Sequence, residues 1–259
     1  MTKAIFFDID GTLVSFKTHK VPIETIEALS QLRQRGIKIF VATGRMLSMT
    51  DVLAGIEFDG FIAYNGSCCT DGDKNILYKH TIPQRELINL VDRLDHDRFP
   101  VSFMCKEQMF VNYHDPIVVK VASLVNVTPP VIRDPREVIK EDVYQLCIYV
   151  DDKKLNEIIR DVLPDCISGR WIPEFADVNM RGISKQSGID QIIGHYGINL
   201  SETMAFGDGG NDISMLRHAA IGVAMANSDD SVKESADYIT GHVDDGGLPA
   251  ALRHFGLIN

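Results

Sequence analysis

Residues 3 to 7, KAIFF, form a short continuous apolar run that ends in Asp8-Ile9-Asp10-Gly11-Thr12, and no other junction constrains the fold of this chain as strongly. An uninterrupted apolar run of this length marks a strand covered on both faces, as in a parallel sheet. A helical pattern over IETIEALSQLRQ follows, with Gly36 as its stop, then a second buried strand, IKIFVAT, a further helix expected from about Arg45, and a third strand in FDGFIAYNG. Strand, helix, strand with short connections predicts an α/β fold, a doubly wound, mostly parallel, Rossmann-like sheet. Such sheets bind ligands beyond the carboxyl ends of their strands, where the acidic stretch lies.

The alternation breaks at about residue 83. Strands then come in pairs, VSFMC with QMFVN and later VYQLCIYV, CISGRW and FADVNMR, with helical stretches near 84 to 96 and 152 to 162. That pattern predicts an inserted α+β unit with an antiparallel sheet. From Ser184 the first pattern resumes: helix KQSGIDQIIGHYG, strand ETMAFGD, helix NDISMLRHA, strand IGVAMAN, helix SDDSVKESA, short strand DYITG and a last helix through LPAALRHFG. A core of residues 1–82 and 184–259, split by an insert of residues 83–183, is therefore expected. Neither an internal repeat nor a low-complexity linker is evident.

Composition excludes several classes of function. With 36 acidic against 26 basic residues the formal net charge is -10, which repels phosphate backbones and argues against general nucleic-acid binding or an anionic membrane surface. No apolar run reaches membrane-spanning length, and MTKAIFF lacks the start of an export signal, so a cytoplasmic protein is expected. The five cysteines, Cys68, Cys69, Cys105, Cys147 and Cys166, show no CxxC spacing and read as buried or free thiols. The eight histidines are scattered singly and suggest no metal site.

The chemistry concentrates at four strand-to-loop junctions. In Asp8-Ile9-Asp10-Gly11-Thr12 two carboxylates lie two residues apart and Gly11 permits the sharp turn off the sheet. Neighbouring carboxylates repel unless they share a proton or a cation, and hard oxygen donors suit Mg²⁺. The second constellation, Phe206-Gly207-Asp208-Gly209-Gly210-Asn211-Asp212, adds two more carboxylates after another buried strand; Asn211 and Asp212 could equally cap the following helix. In Ala42-Thr43-Gly44-Arg45 a hydroxyl and the N–H groups of an opening helix could hold a phosphate, although an ordinary turn reads the same way. Lys185 opens the helix after the insert; such a lysine is usually solvated, yet one ammonium is what a phosphate beside clustered aspartates requires.

With these four pieces in order, the chain resembles the haloacid dehalogenase (HAD) superfamily, and within it the Cof-type sugar-phosphate phosphatases with a large α/β cap between the second and third motifs. The resemblance spans the whole chain. It implies that Asp8 is the nucleophile and Asp10 the general acid/base; that Thr43, Gly44, Lys185 and Asn211 bind phosphate; and that Asp8, Asp10, Asp208 and Asp212 form or support a Mg²⁺ site. Asn65-Gly66 and the segment from Gly222 to Asn227 also match the family, whereas Gln186 stands where many relatives have glycine.

The implied activity is a Mg²⁺-dependent phosphoric monoester hydrolase acting through an aspartyl-phosphate, with hexose phosphates as leading substrates. Pyridoxal phosphate or another small phosphate ester is the alternative, and a phosphomutase would keep the same acid at position 10. A dead phosphosugar-sensing module would be expected to have lost a motif, and all four are intact. The implied partner is a small phosphorylated metabolite, bound by a monomer or weak homo-oligomer, with selectivity set by the cap. Tyr113, His114, Asp177 and Asn179 are polar residues of the insert to which no role is assigned.

Overall fold

The computed structural model describes residues 1–124, 127–173 and 175–259. The chain forms two compact units, one made of residues 1–45, 49–78 and 184–259, the other of residues 46–48 and 79–183.

The first unit is built on an eight-stranded sheet. Its leading strands are β1 (Ala4–Phe7), β2 (Lys38–Ala42), β3 (Gly60–Ala63), β4 (Cys68–Asp71) and β5 (Ile76–Lys79). All four residues of β1 are buried, as its unbroken apolar run requires. The helix α1 (Ile23–Gln34) buries Thr25, Ala28, Leu29 and Leu32, the i, i+3, i+4, i+7 stripe of an amphipathic helix. Gly36 ends it with φ +76°, a conformation that a side chain would resist.

The chain then enters the second unit. Its strands β6 (Val101–Cys105), β7 (Met109–Val111), β8 (Val131–Ile132), β9 (Val143–Ile148), β10 (Cys166–Ile172) and β11 (Phe175–Met180) form a sheet in the order β10-β11-β9-β6-β7-β8. Pairing is antiparallel except between β7 and β8. The accompanying helices are α2 (Gln84–His96), α3 (Pro116–Leu124), α4 (Pro135–Val138) and α5 (Asp152–Asp161). Leu87, Leu90 and Val91 of α2 and Leu155 and Ile158 of α5 pack with Phe103, Leu146, Ile148, Ala176 and Val178 into one apolar core. The alternate residues of those strands, Ser102, Gln145, Asp177 and Asn179 among them, point to the sheet's other face, because side chains alternate along a strand.

The return to the first unit brings α6 (Lys185–Tyr196), β12 (Thr203–Gly207), α7 (Ile213–His218), β13 (Ile221–Ala224), α8 (Asp230–Lys233), β14 (Tyr238–Ile239) and α9 (Gly247–His254). The completed sheet runs β14-β13-β12-β1-β2-β3-β4-β5. Every pair from β14 to β3 is parallel, and β3 pairs with β4 antiparallel. Ile189, Ile192, Met215 and Leu216 of α6 and α7 cover Phe6, Phe40, Ile62 and Ala205 on one face. The helix α1, which packs on β2 and α9, lies outside that cluster and serves the opposite face. No helix among the described residues is long and apolar enough to cross a membrane.

Two local expectations are corrected. No α-helix starts at Arg45; the chain makes short 3₁₀ turns at Leu47–Met49 and Asp51–Leu53. Ser48, Thr50 and Asp51 are residue types with low preference for a helix interior, and Gly55 turns the chain at φ +88°. The antiparallel strand β4 also continues the sheet beyond the three leading strands expected, since CCTD carries no alternation to signal it.

Candidate active site

The carboxyl ends of β1 and β12 lie side by side, with Phe7 in register with Phe206 and the Asp8 N–H donating to the Phe206 carbonyl at 3.0 Å. This pairing sets Asp8 beside the loop that carries Asp208. Carboxylate oxygens of Asp8, Asp208 and Asp212 all lie within 4.8 Å of one another. The ammonium of Lys185, 0% exposed, donates to Oδ1 of Asp8 and to Oδ1 of Asp212, both at 2.5 Å.

The loops are shaped for this convergence. Gly11 has φ +84°, and a Cβ there would stand 2.1 Å from Oδ2 of Asp208. Thr12 Oγ1 donates to Oδ1 of Asp208 at 3.0 Å, and Asn227 Nδ2 donates to Oδ2 at 3.1 Å and to the Gly11 carbonyl at 2.9 Å. The other oxygen of Asp212 accepts from the N–H groups of Asp208 and Gly209, at 3.0 and 2.9 Å. Asp212 thus closes its own loop while meeting Lys185.

Lys185 is the first residue of α6, where a cation opposes the helix dipole. Its placement is secured by packing instead. Ser184 and Ser187 form a reciprocal capping box. Gly188 lies so close to β3 that a Cβ would meet Ile62 Cγ2 at 2.3 Å, and Gly66, at φ +110°, approaches the Ser184 carbonyl equally closely. A helix N-terminus that breaks the local rule is where a functional demand is expected.

Electrostatics follow from this crowding. Burial, reinforced by Asp212, pushes the Asp8 carboxyl well above the usual range against the opposing pull of Lys185. Burial and Asp212 push Asp208 up to about 7. Burial alone would lower the Lys185 ammonium, but Asp212 and Asp8 outweigh it and hold it above its ordinary value. Three carboxylates against one ammonium leave a formal excess of two negative charges, which a divalent cation matches in charge and hard oxygen donors match in chemistry. Asp8, Asp208 and Asp212 are the residues that could hold it.

The remaining expected site residues are placed as follows. Asp10 does not join the acidic cluster: its two oxygens accept from Arg45, Oδ2 from Nε and Oδ1 from Nη2, both at 2.7 Å. Thr43 is buried at the end of β2, where its hydroxyl accepts from the Arg45 N–H at 3.0 Å across Gly44, and its carbonyl accepts from the Asn65 N–H at 2.9 Å. Asn211 donates through Nδ2 to Oδ1 of Asn65 at 2.9 Å. Thr43, Asn65 and Asn211 therefore tie three strand ends together. Arg45, Thr12 and Asn227 had no assigned role in the sequence; their signal was adjacency to the motifs, and only the fold shows what each one holds.

The family model for haloacid dehalogenase-like hydrolases matches residues 5–252. YkrA of Bacillus subtilis strain 168, whose name carries a provisional phosphatase activity, is 30% identical over 260 residues that cover 99% of both chains. Among solved structures, the HAD subclass IIB sugar phosphatase BT4131 is 43% identical with a TM-score of 0.92, over 99% of this chain and 100% of that one. BT1666 of Bacteroides thetaiotaomicron, grouped with the phosphatases of the same superfamily, is 39% identical with a TM-score of 0.93, over 100% of this chain and 96% of that one.

Proposed function

We propose, from the premise that this chain belongs to the haloacid dehalogenase-like hydrolase family and is a Cof-type phosphatase, that it hydrolyses small phosphate esters, hexose phosphates foremost, with Mg²⁺ and through an aspartyl-phosphate on Asp8. One observation carries the reading: three carboxylates from two strand ends bring oxygens within 4.8 Å of one another, with a fully buried lysine bridging two of them. The preference for sugar phosphates draws on BT4131, a sugar phosphatase.

In the proposed reaction a carboxylate oxygen of Asp8 attacks phosphorus as the bond to the leaving oxygen breaks, and Asp10 protonates the departing alkoxide. Asp10 then takes a proton from water as the water oxygen attacks phosphorus, the aspartyl bond breaks, and inorganic phosphate leaves with Asp8 restored. When bound, Mg²⁺ supplies positive charge that favours ionised Asp8 and offsets the charge of the phosphoryl oxygens. Lys185 holds Asp8 in place and offers a cation to the phosphoryl group, while Thr43, Gly44 and Asn211 supply neutral donors for its oxygens. Asp212 fixes the loop on which Asp208 is presented.

The inserted unit is proposed as the selectivity module. Support comes from the second face of its own sheet, which carries polar side chains: the Asn179 amide donates to Gln145 at 3.2 Å, and the Ser102 and Tyr149 hydroxyls lie 3.1 Å apart. A cytoplasmic location fits five buried cysteines, none of them in a disulfide. The decisive experiment is a screen of phosphate esters with Mg²⁺ and with EDTA, repeated on Asp8→Asn. Hexose phosphates should lead, EDTA should stop release, and Asp8→Asn should be inactive; undiminished release by Asp8→Asn would reject the nucleophile.

A further inference from the structure

We propose that Arg45 is a positioning residue that sets the direction in which Asp10 delivers and collects its proton. The inference deepens the phosphatase reading and rests on it. Asp10 sits on the turn after β1, two residues from Asp8, on a side chain with two rotatable bonds. Nothing in the sequence keeps it from swinging into the acidic cluster, where it would add a fourth carboxylate to the three already gathered. The arrangement that prevents this is specific. The guanidinium meets Asp10 with two parallel bonds, from Nε and Nη2, each 2.7 Å long, so both carboxylate oxygens and the plane of the group are fixed.

The guanidinium is itself anchored. Its Nη1 donates to the Met49 carbonyl at 3.1 Å, the Arg45 N–H donates to Thr43 Oγ1 at 3.0 Å, and the Arg45 carbonyl accepts from the Tyr64 N–H at 3.0 Å. The pair is only partly exposed, with 14% of the Arg45 side chain and 22% of the Asp10 side chain in solvent. Arg45 thereby connects the proposed acid to the phosphate-binding Thr43 and to the strand end that leads to Asn65. A cation needed only to neutralise Asp10 would not require a fork, since a lysine would do as well. A planar two-point clamp is what a side chain requires when its angle of approach matters, because a displacement of about 1 Å in a reacting group can lower a rate by ~10²-fold.

The chemistry makes the role testable without disturbing the attack on phosphorus. A sugar alkoxide must take a proton from Asp10 as its bond to phosphorus breaks, and in the second half the same carboxylate must take a proton from the attacking water. A nitrophenolate leaves without being protonated. Loss of Arg45 should therefore slow the alkyl ester far more than the aryl ester in the step that forms the aspartyl-phosphate.

The experiment compares hexose phosphate with p-nitrophenyl phosphate, in single-turnover measurements of leaving-group release at saturating Mg²⁺, for wild type, Arg45→Ala, Arg45→Gln and Arg45→Lys. We expect the alkyl ester to slow by ~10²-fold in Arg45→Ala and the aryl ester by less than about threefold, with KM shifted little for either. Arg45→Lys should recover only part of the difference, and added guanidinium should recover part of it in Arg45→Ala. Equal losses on both esters, a loss confined to KM, or full recovery by lysine would overturn the inference. Should Arg45→Ala fail to fold by thermal melting, Arg45→Lys carries the same comparison. The controls separate the two levels: wild type inactive on both esters, or Asp8→Asn active on both, sinks the phosphatase reading, whereas equal losses in the Arg45 variants sink only the role given to Arg45.

Discussion

The ammonium of Lys185 lies 2.5 Å from Oδ1 of Asp8, although 177 positions separate the two residues in sequence. It also lies 2.5 Å from Oδ1 of Asp212 and has no exposure to solvent. A buried ammonium so enclosed is tolerated because its partners are charged, and those partners are tolerated because of it. Replacing Lys185 by Met should destabilise the metal-free protein by about 3–5 kcal/mol, since it leaves uncompensated buried carboxylates. Phosphate release should fall by at least ~10²-fold. Urea unfolding with and without Mg²⁺, alongside steady-state assays, checks both; unchanged stability would show that the carboxylates do not depend on the lysine.

Gly11 is held by two constraints at once, a positive φ and the nearness of Asp208. Gly11→Ala is expected to destabilise by about 1–3 kcal/mol and to weaken Mg²⁺ binding, because the new Cβ must displace the Asp208 carboxylate. Gly36 has a similar φ of +76°, but a Cβ there would meet no heavy atom within 4 Å. Gly36→Ala should therefore cost about 1–2 kcal/mol and leave Mg²⁺ affinity intact. Calorimetric titration of both variants separates strain in the backbone from intrusion into the site.

The Asp208 carboxyl is pushed up to about 7 in the metal-free protein, whereas an unfolded aspartate titrates near ~3.9. Between those values the folded state binds more protons than the unfolded one, so the group's contribution to stability declines as pH rises from ~4 towards ~7. Asp8, raised as well, acts in the same direction. A divalent cation competes with those protons, so the rise in melting temperature on adding Mg²⁺ should be larger at pH 8 than at pH 6. Equal shifts at the two pH values would mean that Mg²⁺ does not displace protons from this cluster.

The helix that carries Lys185 leans on β3 through Gly188 and Ile62. Gly188→Ala should push α6 outward and lower phosphate release by ~10-fold or more although no polar atom has changed. Ile62→Ala should make room for the added methyl, so the double variant should be more active than Gly188→Ala alone. A double-mutant cycle in activity gives the coupling directly; strict additivity would place the effect elsewhere.

Much of the site was legible because each motif follows a continuous apolar run, and a parallel sheet brings the carboxyl ends of such strands to one edge. Asp8, Asp208 and Asp212 converge for that reason. What could not be read were relationships fixed by side-chain direction. Nothing in Ala42-Thr43-Gly44-Arg45 says that the arginine fork turns onto Asp10, so the sequence implies four gathered carboxylates where three converge. The helix anticipated after Arg45 failed for a local reason, the serine, threonine and aspartate that favour turns. β4 escaped notice because its register comes from pairing with β3, which the sequence of β4 alone does not reveal.

Strand β1 is bonded along both edges, to β2 on one side and to β12 on the other. The first neighbour is synthesised within some forty residues, but the second leaves the ribosome only after the whole insert has been made. A nascent chain can therefore finish the inserted unit while the strand that leads to Asp8 still has a bare flank. Until β12 docks there, Asp208 and Asp212 are absent from Asp8's surroundings, and an incomplete polypeptide has one carboxylate where the finished chain gathers three.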